Sequence, residues 1–159
     1  MFARPFIDSL DFARQGEEMR GEVLVAELPR LNDMLAVPEG KISYELRGLY
    51  DKDGKPQLEL SLEGLCILRC QRCLEGLNFP IKLISRLRLV SDSDESDIDD
   101  DEMDSIPADK HLDVLSLLEE EMLLSLPIAP KHATGECQFA AEGLARPENP
   151  FTVLAGLKK

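Results

Sequence analysis

The sequence predicts an α+β fold in which an antiparallel β-sheet packs against a central helix and smaller helices, with a mobile acidic loop on one side. Three observations carry that expectation. Ile42, Tyr44 and Leu46 alternate with Ser43, Glu45 and Arg47, the period of a half-buried strand. Leu58, Leu60 and Leu62 alternate in the same way with Glu59, Ser61 and Glu63, and Leu112, Leu115, Leu118 and Met122 recur at helical spacing. The 159 residues suit one domain, 1–159, because a chain of this size buries roughly 70% of its unfolded surface. Hydrophobic residues at 43%, aromatics at 5% and no Trp predict a core of Leu, Val and Ile.

Taken in order, the chain predicts a short helix near Ser9 to Gln15, a strand at Glu22 to Glu27 and a helical turn or two from Pro29 to Leu35. The strand from Lys41 and the strand from Leu58 form a hairpin around Asp51-Lys52-Asp53-Gly54-Lys55-Pro56, where Gly54 can adopt a positive φ at little cost. Beyond Gly64, Leu65, Cys66, Ile67 and Leu68 are apolar on both faces, and Cys66 reads as a small core residue. A connection at Arg69 to Gly76 leads to a third strand with Phe79, Ile81, Leu83, Leu87 and Leu89 on one face and Lys82, Arg86 and Arg88 on the other. The acidic stretch 91–107 has almost no apolar content and is expected to be a flexible, solvated loop closed by Pro107. Asp109 is the predicted cap of the main helix, with Asp113 and Glu120 outward and Pro127 limiting its extension. The tail 145–159 carries a short helical pattern with Pro150 at its first position.

Charge separates the functional classes. The net charge of -13 argues against phosphate binding until its distribution is seen: nine acids and no base lie between Ser91 and Asp104, leaving 22 acids against 18 bases elsewhere. Arg69, Arg72, Lys82, Arg86 and Arg88 face one local acid, Glu75, so these five are the candidate RNA-contacting residues. No apolar run approaches a membrane span, and Asp8 and Asp11 interrupt the start of the chain, so a cytoplasmic protein without membrane contact is expected.

Four cysteines are too few for a secreted disulfide scaffold, and clustered thiols in a reducing compartment point to metal or redox chemistry. Cys70-Gln71-Arg72-Cys73 lets two sulfurs converge on one ion at a tight turn, and His132 with Cys137 offers an imidazole and a third thiolate. Cys70, Cys73, His132 and Cys137 are therefore the candidate ligands of a structural zinc. A thiol-disulfide redox protein is the rival use of Cys70 and Cys73, although a thioredoxin-like pair sits at a helix start rather than a hairpin turn. His111 and His132 are the only histidines and no Gly-rich nucleophile turn accompanies them, so no catalytic residues are assigned.

Together these motifs resemble a bacterial family with plastid relatives, the YceD-like large ribosomal RNA subunit accumulation proteins. The resemblance rests on Cys70-Gln71-Arg72-Cys73, the acidic segment, the helical run from Leu117 to Pro127, His132 with Cys137, and Asn149-Pro150-Phe151 followed by Val153-Leu154-Ala155-Gly156-Leu157-Lys158. It implies a noncatalytic factor supporting synthesis, processing or stability of the large-subunit (23S) ribosomal RNA during ribosome assembly. The partners it implies are the precursor of that RNA, ribosomal proteins or rRNA-processing proteins. Some relatives carry more cysteines after the helix, a pattern that looks like the second half of a metal site; here His132 and Cys137 occupy that region. A zinc-stapled protein-binding adaptor is a further alternative. The oligomeric state is not legible in the sequence.

Overall fold

A computed structural model describes residues 4–91, 103–137, 151 and 156. The acidic run from Asp92 to Glu102 and most of the tail 145–159 lie outside those residues. Phe6–Ile7 (β1) leads into helix α1 (Ser9–Gln15), which starts where the Asp8 side chain accepts the Asp11 N–H and stops at Gly16, whose φ of 63° breaks the helical path. Strand β2 (Glu18–Leu24) follows, then two 3-10 turns at Val25–Glu27 and Pro29–Leu31, and a short strand β3 (Leu35–Val37). Three long strands build the body: β4 (Lys41–Tyr50), β5 (Pro56–Arg69) and β6 (Gly76–Val90). Strand β7 (Asp104–Pro107), strand β8 (Leu112–Asp113) and helix α2 (Val114–Ser125) follow.

The main sheet runs β2-β4-β5-β6-β7, with β3 pairing the far end of β5 beyond the reach of β4. Its pairs are antiparallel except β6 with β7, which is parallel and makes the sheet mixed. The fold is α+β, as the alternating patterns predict. One face of the sheet presents Ile42, Leu46, Leu58, Leu60, Leu62, Ile81 and Leu87, all buried, to Phe12 and Ala13 of α1 and to Val114, Leu118 and Met122 of α2. Leu28 and Leu31 of the 3-10 turns close that core, and the buried Glu119 of α2 accepts the backbone N–H of Arg30 and ties the turn to the helix.

Four expectations change. The strand predicted from Glu22 to Glu27 begins at Glu18 and ends at Leu24, because the Glu27 carboxylate turns back to accept the Leu24 N–H at 3.1 Å. Residues 104–107 of the predicted loop form β7, where Ile106 packs on the core. The cap of α2 is Asp113, which accepts the Leu115 and Ser116 N–H groups at 3.0 and 3.3 Å; Asp109 instead accepts the His111 N–H, and Leu112 pairs with β1. Asp113 is therefore not simply an outward acid.

The fourth change concerns the cationic face of β6. Register across the sheet places Glu59 of β5 opposite Arg86 and Glu63 opposite Lys82, with Arg47 and Ser43 of β4 next in those rows. Arg86 bonds Glu59 at 2.8 Å, Arg20 bonds Glu45 at 3.0 Å and Lys41 bonds Glu22 at 2.9 Å, so this face is a lattice of alternating sign. Arg88 is buried, with its guanidinium 3.2 Å from the Asp51 carboxylate under the β4–β5 turn. It serves that turn rather than an open cationic row.

Asp51 organises the turn by accepting the N–H groups of Lys55 at 2.8 Å and Asp53 at 2.9 Å. The Lys55 N–H above all, with Asp53 and the Arg88 charge, outweighs desolvation and holds the carboxyl below its usual range. A lowered folded-state pKa contributes stability above the unfolded value of about 4 that is lost as pH falls through the folded one. Thermal melts from pH 7 to pH 3 are thus expected to show Asp51→Asn less stable than wild type at neutral pH, with the gap closing below about pH 4. A gap independent of pH would show that the charge on Asp51 contributes nothing.

Candidate metal centre

The two longest strands, β5 and β6, meet at the tip formed by residues 70–75, and this turn gathers the cysteines. The Cys70 N–H donates to the Glu75 carbonyl and the Leu74 N–H to the Cys70 carbonyl, both at 2.9 Å, which curls the backbone around the Cys70 and Cys73 sulfurs. Leu74 takes φ 66°, the left-handed conformation that the reversal after Cys73 requires. On the other side, Pro127 follows the end of α2 and an irregular segment brings Pro130 beside the tip, where its carbonyl accepts the Gln71 N–H at 2.8 Å. His132 and Cys137 arrive on that segment.

The four donor atoms of Cys70, Cys73, His132 and Cys137 lie within 4.8 Å of one another. Cys70 Sγ is 3.8 Å from Cys137 Sγ, and His132 Nδ1 is 3.4 Å from Cys73 Sγ and 3.7 Å from Cys137 Sγ. A tetrahedral zinc with bonds of about 2.3 Å to sulfur and about 2.05 Å to nitrogen separates its ligands by about 3.8 Å (S to S) and about 3.6 Å (S to N). The residues fit that ion. The second imidazole nitrogen, Nε2, lies 3.0 Å from the Gly76 carbonyl, which can only accept, so in the neutral ring Nε2 carries the proton and Nδ1 offers its lone pair to a metal. Gly76 and Pro130 act through backbone carbonyls, whose role side-chain chemistry in the sequence does not announce; the nearest signals are a glycine at the start of a strand and a proline two residues before His132.

Of the shifted donors, Cys70 is moved toward its metal-binding thiolate, whereas His132 and Cys137 are moved toward their protonated forms. Burial pushes the Cys70 thiol up, but N–H groups of Cys73, His132 and Arg72 and the Cys73 side chain outweigh it and bring it down to about 5. The contact with Cys70, followed by the Gly76 carbonyl, raises His132. Desolvation and then the neighbouring sulfurs raise Cys137. Cys66 lies apart in the core, where burial pushes it up to about 11, as befits an inert packing residue. Of the sequence-predicted cations, Arg69 and Arg72 are exposed beside this cluster, Lys82 and Arg86 lie on the charge lattice, and Arg88 is buried. His111 is exposed and stands outside the cluster.

The family model described as "Large ribosomal RNA subunit accumulation protein YceD" matches residues 58–158, which include all four donors. The chain belongs to this family. A curated YceD relative from Haemophilus influenzae, a "Large ribosomal RNA subunit accumulation protein YceD", is 30% identical over 117 residues. That alignment covers 67% of this chain and 64% of the relative, so the chain spans less than two thirds of the relative's length. No solved structure matches the chain. Among the described residues no helix is long and apolar enough to cross a membrane.

Proposed function

We propose that this YceD-family protein is a noncatalytic factor supporting synthesis, processing or stability of the large-subunit (23S) ribosomal RNA during ribosome assembly. The observation that carries the reading is the family match over 58–158, whose description names accumulation of that RNA. In this reading zinc on Cys70, Cys73, His132 and Cys137 staples the β5–β6 tip to segment 128–137. Four protein donors complete a tetrahedron and leave no position for a reacting water, so the ion stabilises and supplies no catalytic step. The exposed Arg69 and Arg72 beside the staple, with Lys82 and Arg86 on the sheet, supply phosphate contacts; exposed ion pairs such as Arg86 with Glu59 are weak enough to exchange for phosphate. Partners are the precursor of the large-subunit RNA, ribosomal proteins or rRNA-processing proteins, and the site of action is the cytoplasm.

A thiol-disulfide function has one observation in its favour, the low pKa of Cys70 at 3.8 Å from the Cys137 sulfur. It requires those sulfurs to be free of metal, whereas the His132 nitrogen completing the cluster favours an ion. Ultraviolet crosslinking in cells, followed by stringent purification and sequencing of the attached RNA, tests the assembly reading. Enrichment of large-subunit precursor RNA is expected. Absence of specific crosslinks, with intact protein and working controls, would overturn direct RNA contact and send the function to a protein adaptor or to thiol chemistry.

A further inference from the structure

Strand β6 has an open edge along its middle. Strand β7 pairs with its last four residues, Leu87–Val90, and among the described residues no strand lies beside 76–86 on that side. The Cys70 N–H donates to the Glu75 carbonyl just before β6 and the Cys66 thiol to that of Phe79, so odd-numbered residues turn their backbone groups toward β5. The Val90 carbonyl accepts the Ala108 N–H at 2.8 Å and the Gly76 carbonyl accepts from His132 Nε2 at 3.0 Å, so even-numbered residues turn theirs away. The register with β5 runs without a shift from Gly76 to Arg88. The open stretch therefore presents the N–H and C=O groups of Asn78, Lys82, Ile84 and Arg86, bonded to nothing among the described residues, and the Pro80 carbonyl. Pro80 costs the β5 ladder no bond, because its nitrogen faces out. With β7 at one end and His132 at the other, the gap is roughly 25 to 30 Å long, room for a strand of ordinary length.

Side chains along this edge indicate what the missing neighbour carries. Across the outer face Glu18, Arg47, Glu59 and Arg86 stand in one row of alternating sign, and Glu63 stands opposite Lys82 in another. Each row ends at β6 on an exposed cation, and Ile84, 68% exposed, lies between them. We propose that the β6 edge takes an extended peptide of a partner protein as an added strand, with carboxylates beside Lys82 and Arg86 and an apolar residue beside Ile84. Main-chain bonds supply its affinity and the alternate side chains its specificity. Two copies joined along this edge would bring four cations onto one strip, and Pro and Lys are residue types that keep strand edges from indiscriminate pairing, so the occupant is an acidic partner rather than a second copy. The inference deepens the protein-partner side of the proposed function, with Lys82 and Arg86 meeting carboxylates in place of phosphates.

Amide hydrogen exchange, followed by NMR on the full chain, tests the site with an end-capped peptide that has glutamate, valine and glutamate at alternate positions and threonine between them. Expected at saturation is slowed exchange of the Lys82, Ile84 and Arg86 N–H groups, with Leu83 and Ser85, which face β5, unchanged. The same peptide with lysine in place of glutamate is expected to bind at least about 4-fold more weakly. Ile84→Pro removes one edge N–H without touching the β5 ladder and is expected to weaken binding about 10-fold, Ile84→Ala less. Its melting temperature is measured alongside, and the exchange data on wild type carry the test if it unfolds. Binding that leaves the three amides unprotected, or equal binding of the two peptides, would overturn the added strand. Self-association of the free protein that protects the same amides would overturn it in favour of a second copy. Failure of the peptide to bind, with binding of a transcribed large-subunit precursor fragment, would overturn the added strand and leave the RNA reading standing; failure of both would overturn the strand and direct RNA contact together.

Discussion

The double variant Cys70→Ser, Cys73→Ser is expected to lose one equivalent of zinc and several degrees of thermal stability together. Three of the donor separations, 3.4 to 3.8 Å, are close to those a tetrahedral ion imposes, and removing two of the four donors leaves no closed set. An ion held with free metal 1,000-fold above its Kd stabilises the folded state by about 4 kcal/mol. For a chain of this length that is a fall in Tm of roughly 8 to 16 °C. Cys66→Ala separates metal loss from core damage, since Cys66 is buried away from the cluster and its replacement should keep the zinc. Elemental analysis and calorimetry on the three proteins decide the matter: a metal-free wild type that melts with the double variant would remove the zinc staple.

Gly48→Ala is expected to destabilise the fold strongly although it adds a single methyl group. Helix α1 lies directly against β4, and a Cβ at Gly48 would sit 2.3 Å from the Phe12 carbonyl oxygen and 2.7 Å from the Ala13 Cα. These are backbone atoms, so the helix must move as a body, and the Gly48 N–H bond to the Glu17 carbonyl at 2.9 Å would stretch with it. Overpacking of this kind costs about 1 to 3 kcal/mol, or a Tm lowered by roughly 2 to 12 °C. Ser43→Ala, on the exposed face of the same strand, should stay within about 0.5 kcal/mol. Equal melting of the two variants would refute the close approach of α1 to β4.

The contrast between these residues shows what could be read in advance. Alternation of Ile42, Tyr44 and Leu46 against charged neighbours marks a strand whatever surrounds it, and helix α1 has the bounds its pattern predicts. The gathering of Cys70, Cys73, His132 and Cys137 was legible because thiols and imidazoles are scarce and their spacing limits what they can do. The cap of α2 was not, since Asp109 and Asp113 are the same residue type four positions apart and only the pairing of Leu112 with Ile7 selects the second. Arg88 failed for another reason. Strand parity assigns it to the correct face, but nothing local reveals that the β4–β5 turn folds over that end of the face and buries it.

The donors come from chain segments 59 to 67 residues apart, with β7 and α2 lying between them. Segment 128–137 has few other ties: the Gln71 N–H to the Pro130 carbonyl, the His132 Nε2 to the Gly76 carbonyl and the buried Pro130 reach the body, and the Glu136 N–H to the Ala133 carbonyl is internal. With an ion bound, the opening of this end would wait on metal dissociation. Amide exchange there would follow the free zinc concentration while the central strands exchange only by global unfolding, giving one small molecule two separately controlled lifetimes.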